Sequence, residues 1–289
     1  MGQFDEEMKG WRMPSTTVRG AKINYEVLGS EGPWIALSPG GRNSMADVKS
    51  LAQRIADVDN RVVIFDRRNC GASDVVIDGG DSEYEIWAED LYELLTQLGA
   101  LPAIIGGSSS GCRLSLLFAL RYPEATNALL LWRVTGGRFA ATRLSEKYYG
   151  QYIRVAEKGG MEAVCATEEF AERIANNPAN WERLMAMDPT RFISVMSNWN
   201  SYFLSGADLP VIGCTEEDLR SIAVPACIVP GNDKTHPTAV ARRAHELIDG
   251  SEWYTLMGED IDVDTTPFED WADKESDLAT VFIDFIRRL

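Results

Sequence analysis

The chain has 289 residues, 45% of them hydrophobic and 25% charged, which suits an ordinary soluble globule: one well-buried α/β domain with an insertion, or two small domains. Its formal net charge of −16 repels nucleic acid and anionic membrane surfaces. The five cysteines (Cys70, Cys112, Cys165, Cys214, Cys227) are odd in number, widely spaced and without a C-x-x-C pair, which argues against a disulfide framework or zinc site and for a reducing cytoplasm.

The opening thirteen residues are acidic and lack an apolar core, so a signal peptide is not expected there, and no apolar run is long enough to span a bilayer. Residues 15–19 and Ala21–Leu28, split by Gly20, read as a hairpin. Trp34–Ser38, Arg61–Phe65 and residues 103–106 are short apolar runs ending in Gly, Pro or Asp, as strands buried on both faces of a parallel sheet require. Between them Tyr84, Trp87, Leu91, Leu94, Leu95 and Leu98 recur at helical spacing. Leu114, Leu117, Phe118 and Leu120 mark another helix, stopped at Tyr122-Pro123, and residues 128–133 form the next strand.

The pattern then changes. Residues 136–213 contain no convincing strand, and their aromatics and methionines (Tyr148, Tyr149, Phe170, Trp199, Phe203 among them) lie on helical stretches. Most such side chains serve packing. Strands resume at Ala226–Val229 and residues 252–257, and a last helix carries Trp271, Leu278, Phe282, Phe285 and Ile286. The expected architecture is a mostly parallel α/β core, residues 1–135 and 214–289, with a helical cap, residues 136–213, inserted in it.

One stretch points to chemistry. G-x-S-x-G fits the run of three serines in a single register, Gly107-Ser108-Ser109-Ser110-Gly111, with Ser109 at its centre. A strand precedes it and a helix follows. Such a turn is tight enough to demand small neighbours, and it lifts the central side chain clear of the sheet above a helix N-terminus. The Ser110 N–H then faces a developing oxyanion.

With Ser109, three further segments resemble the α/β-hydrolase superfamily, in particular the capped group that includes proline iminopeptidases, epoxide hydrolases and meta-cleavage-product C–C hydrolases. Ser38-Pro39-Gly40-Gly41-Arg42 stands where that superfamily has its oxyanion loop, with Pro39 replacing a common histidine; Asp66 to Asp74 resembles its D-x-R-G-x-G-x-S turn; and Val229-Pro230-Gly231-Asn232-Asp233 matches the loop carrying the triad acid. The resemblance implies an α/β-hydrolase fold and roles for Ser109 as nucleophile, Asp233 as acid and the N–H groups of Gly41 and Ser110 as oxyanion donors. Asp66 and Arg67 read as turn-holding residues, and Cys70, Cys112 and Cys227 as small buried fillers.

The superfamily places its histidine in the loop after the last strand. Here that loop, residues 257–264, has none, and the chain has only two histidines. His245 lies near the end of a helix, a bland position. His236 comes three residues after Asp233 and precedes Pro237, which marks a helix start. It is read either as a base moved onto the acid's own loop, with an ionisation near the ordinary value of about 6.5, or as a capping or pocket residue. Glu259, Asp260 and Asp262 are weak bases for a serine hydroxyl.

Trp132, Arg133 and Arg138 follow the strand leading into the cap and are candidate substrate contacts; the arginines pair either with a substrate carboxylate or with acids of the chain. The expectation is a serine-dependent enzyme cleaving an ester, amide or C–C bond next to a carbonyl in a small apolar or aromatic molecule. No cofactor or metal is implied, and a homodimer is compatible. The alternatives are a lyase or isomerase using the oxyanion site, or a binding protein without turnover.

Overall fold

The computed structural model describes residues 14–289, so the acidic opening segment lies outside the described residues. Among the described residues, eight strands form one sheet: β1 (Ser15–Val18), β2 (Ala21–Leu28), β3 (Trp34–Ser38), β4 (Arg61–Phe65), β5 (Ala103–Ser108), β6 (Thr126–Trp132), β7 (Ala226–Val229) and β8 (Glu252–Trp253). Their order across the sheet is β1-β2-β4-β3-β5-β6-β7-β8. The β1–β2 and β2–β4 pairs are antiparallel; every pair from β4 to β8 is parallel.

The apolar runs explain this centre. Successive side chains of a strand point to opposite faces, so Val62, Ile64, Ile35 and Leu37 enter one apolar layer while Val63, Phe65, Ala36 and Ile105 enter the other. The first layer is closed by α1 (Lys49–Ala56) and by α12 (Glu275–Ile286), through Leu51, Ile55, Phe282 and Phe285. The second is closed by α2 (Glu83–Gln97), α3 (Ser110–Arg121) and α10 (Thr238–Leu247). Helix α2 starts at a capping box in which Ser82 and Glu85 satisfy each other's backbone N–H groups.

Between β6 and β7 the chain runs through α4 (Gly137–Ser145), a π-helical turn (Glu146–Gly150), α5 (Gln151–Cys165), α6 (Glu168–Asn176), α7 (Ala179–Met185) and α8 (Pro189–Ser205), then α9 (Glu216–Ser221). The helical reading of residues 136–213 agrees with this. The insert's buried Tyr149, Phe170, Phe192, Trp199 and Phe203 belong to the same apolar layer as α2 and α3, and Phe203 sits 5.9 Å from the Tyr84 ring.

Two expectations change. The strand expected over residues 252–257 is only two residues long, because the chain leaves the sheet and continues as a loop; Tyr254 N–H still donates to Ile228 O at 3.0 Å. The last helix is two helices, α11 (Phe268–Ala272) and α12, parted where Lys274 adopts φ −97°, ψ −2°.

Candidate active site

β3, β5, β6 and β7 all end at the sheet's carboxyl edge, where ligand sites of open α/β sheets form. Ser109 follows β5 directly. It adopts φ +52°, ψ −106°, a conformation that side-chain-bearing residues avoid, between β5 and α3. The turn closes because Gly107 lacks a Cβ: one built there stands 2.5 Å from the Gly111 Cα. The Ser109 N–H donates to Trp132 O at 3.1 Å, tying the elbow to β6.

Ser109 Oγ lies 2.9 Å from His236 Nε2 and 3.0 Å from Thr135 Oγ1. His236 Nδ1 lies 2.9 Å and 3.1 Å from the two carboxylate oxygens of Asp233. With Nδ1 carrying the proton towards the carboxylate, Nε2 accepts from the Ser109 hydroxyl. The chain thus brings together Ser109, Asp233 and His236, with the carboxylate and the imidazole three residues apart on one loop.

That loop is braced on every side. Asp233 Oδ1 accepts the N–H groups of Thr235 at 2.9 Å and His236 at 2.8 Å, and Oδ2 accepts that of Thr266 at 2.8 Å. Gly231 lets it close, since a Cβ there stands 2.5 Å from the His236 Cβ. Pro237 then stands at the N-cap position of α10.

Electrostatics follow from this burial. Burial raises the Asp233 pKa, but the hydrogen bond and charge of His236 and the backbone donors outweigh it, leaving the carboxyl far below the usual range. Burial also lowers His236, against the raising effect of Asp233, and Arg133 adds to the lowering; the imidazole is brought down to about 4. The ionisation expected near 6.5 is therefore displaced downward, and His236 is neutral at pH 7.

Of the oxyanion candidates, Gly41 lines the cavity over Ser109, and Ser110 is buried next to Ser109 at the start of α3. Ser110 opens α3, so its N–H has no acceptor within the helix. Gly41 sits at φ +50° in the loop after β3. Arg67 holds that loop: its Nη2 donates to Gly40 O at 3.2 Å and Gly41 O at 2.9 Å. Asp66 accepts the N–H groups of Met45 at 2.7 Å and Ala72 at 2.9 Å, so this pair holds turns, as expected from the sequence.

A cavity of about 270 Å³ opens over Ser109, with Gly41, Trp132, Arg133, Tyr148 and His236 among its walls. Trp132 is buried edge-on against Phe282 at 5.4 Å. Arg133 lines the cavity, and its guanidinium is 3.5 Å from Asp233 Oδ2, so the acid partner is one of the chain's own. Arg138 does not join them: it pairs in solvent with Asp208 at 2.6 Å and lies outside the cavity wall. It stands in the first turn of α4, whose buried face is Ala140, Ala141 and Leu144. His245 meets Ser251 Oγ at 2.7 Å, away from Ser109.

Sequence reasoning missed Thr135 and Tyr148. Thr135, three residues past β6, carried no motif. Tyr148 was one of several scattered cap aromatics without a feature to single it out.

The fold and this site define an α/β-hydrolase architecture. Residues 33–131 match the family model of the alpha/beta hydrolase fold. The chain is 24% identical over 257 residues to a proline iminopeptidase of Lactobacillus acidophilus, covering 81% of this chain and 86% of that one. It is 33% identical over 113 residues to an uncharacterized hydrolase, YraK, of Bacillus subtilis; the match spans 39% of this chain and only 41% of the relative. Its structure superposes on the enol-lactonase of Burkholderia xenovorans with a TM-score of 0.64 at 19% identity, over 95% of this chain and 100% of that one. The chain thus has the α/β-hydrolase fold, and its residues 33–131 carry that family's sequence pattern.

Proposed function

We propose that the protein is a serine hydrolase that cleaves an ester, amide or C–C bond next to a carbonyl in a small molecule. The observation that carries this is the 2.9 Å approach of His236 Nε2 to Ser109 Oγ, with Nδ1 held by Asp233. The hydrolase names of its relatives agree with the reading.

In the first step Ser109 Oγ bonds to the carbonyl carbon, and its proton passes to His236 Nε2. The carbonyl π pair moves onto oxygen, which the N–H groups of Gly41 and Ser110 stabilise. When the tetrahedral adduct collapses, Nε2–H protonates the leaving group and an acyl-serine remains. Water, deprotonated by His236, then adds to the acyl carbon and restores Ser109. Asp233 keeps the imidazole in the right tautomer and offsets its transient charge. Residues 136–213 act as the cap, roofing the cavity with Arg143, Leu144, Lys147 and Tyr148.

The cavity is small for a ligand site, where about 300–1,000 Å³ is usual, so short acyl groups fit best. The missing loop histidine favoured the lyase or isomerase reading, and the approach of His236 to Ser109 favours hydrolysis over it; a binding protein without turnover is the outcome that the absence of labelling would support. The test is labelling with a fluorophosphonate, followed by mass spectrometry and a series of p-nitrophenyl esters. Adduct on Ser109 and a preference for acetate over octanoate are expected. An unlabelled protein with no esterase activity removes the reading.

A further inference from the structure

We infer that Tyr148 is a catalytic residue, its phenol donating a third hydrogen bond to the oxyanion that Gly41 and Ser110 hold. This rests on the serine-hydrolase reading above.

Residues Glu146–Gly150 form a π-helical turn, and the Gln151 N–H reaches back five residues to Glu146 O instead of four. Single π turns occur often at functional sites, because the added residue re-aims the side chains around it. Here two adjacent tyrosines are both buried. The Tyr149 hydroxyl donates to Glu83 Oε2 at 3.0 Å, deep between α2 and the insert. Tyr148 instead lines the cavity that contains Ser109 and His236.

Its hydroxyl comes to the oxyanion side of that cavity. It stands 3.6 Å from where a Cβ on Gly41 would lie. The neighbouring Ser110 hydroxyl is held by Arg113 Nη2 at 3.1 Å. The phenol therefore stands beside Gly41, one of the two residues whose N–H groups are assigned to the oxyanion, in the cavity that also holds Ser109. Its ring is fixed edge-on by Phe203 at 6.1 Å and Tyr149 at 6.3 Å, with the Arg42 guanidinium 5.5 Å from its centre. Burial raises the phenol's pKa, only partly opposed by Arg113 and Ser110, so the group stays a donor at neutral pH. As charge builds on the carbonyl oxygen, the Tyr148 O–H donates to it without giving up its proton.

Tyr148→Phe keeps the ring and removes only the hydroxyl. Phosphonylation of Ser109 builds charge on the phosphoryl oxygen in the same place, so its second-order rate constant needs no knowledge of the natural substrate. That constant, unlike the amount labelled, does not depend on how much of the variant is folded. It should fall by about 10²-fold, the lower range for losing one oxyanion donor. With p-nitrophenyl acetate, kcat should fall while KM stays. Wild-type protein that never labels overturns the nucleophile reading, and the inference with it. Wild-type labelling together with a Tyr148→Phe rate constant within about threefold of it overturns the role of Tyr148 alone, being far short of the loss of a donor.

Discussion

The loops after β7 and β8 lie side by side at the edge of the sheet and divide their work unequally. Residues 230–237 hold both Asp233 and His236, the proposed acid and base. Residues 254–267, where the superfamily's histidine is expected, hold none, yet they clamp the first loop. Thr266 N–H binds Asp233, the Lys234 and Thr235 N–H groups reach Val263 O and Asp264 O, and Ile261 N–H reaches Asn232 O at 2.8 Å. Asp260 accepts from the Thr238 hydroxyl at 2.6 Å, at the start of α10. On the proposed assignment, a loop can thus lose the chemical group and keep the structural job while its neighbour presents the base to the same serine. The base is then set by position in space and not by chain order.

The comparison breaks most sharply if the first loop proves dispensable. Ser109→Ala should remove labelling and lower turnover by about 10⁴-fold or more, as loss of a nucleophile does elsewhere, while Ser108→Ala keeps substantial activity; kcat/KM with a p-nitrophenyl ester checks both. His236→Ala should cost roughly 10²–10⁴-fold in kcat with an unchanged circular dichroism spectrum, and His245→Ala almost nothing. Equal losses in the two variants would mean that the base lies elsewhere.

Acidity gives a smaller effect with a defined sign. The base works when neutral, so activity is present above its pKa and lost as pH falls through about 4. The profile of kcat/KM should be flat from about pH 5 to 8, whereas an unshifted histidine would lose about tenfold by about pH 5.5. Stability carries the same shift: between about 4 and the ordinary 6.5 only the unfolded chain takes up the His236 proton. Stability is therefore full above about 6.5 and declines with falling pH, by about 1.4 kcal/mol per unit. Denaturant titrations across that window should show the slope, and His236→Ala should lack it. The smallest effect belongs to the clamp. Asp260→Ala should lower Tm by about 2–4 °C through the lost helix cap and leave kcat within about twofold of wild type, since it touches neither Ser109 nor His236.

Most of the sheet was legible because Ile, Val and Leu crowd into short runs that a strand buried on both faces requires. The Ser109 register was legible because only one phase of the serine run has glycines on both sides. His236 was legible by elimination, and only as one of two readings, since nothing local to Asn232-Asp233-Lys234-Thr235-His236 says that the ring reaches Ser109, 127 residues away in sequence. Tyr148 was not legible. Its ring is placed by a π turn and packs against Phe203 and Arg42, which no window of sequence contains. Arg138 was misplaced for a related reason: charge suggested a substrate contact, but its place on α4 turns it to solvent and Asp208.

The close approach of Gly231 to His236 has a consequence for sorting sequences. A side chain at position 231 would collide with the histidine's own Cβ at 2.5 Å, so the compact loop tolerates glycine there and little else. Asp233 and His236 must keep their three-residue interval for one carboxylate oxygen to take both the N–H and the ring of the histidine. Gly231, Asp233, His236 and Pro237 therefore form a short fingerprint. On the proposed assignment, chains that carry it need no histidine near their last strand, and a survey that discards α/β-hydrolase-like sequences as inactive on that ground would discard working members with them.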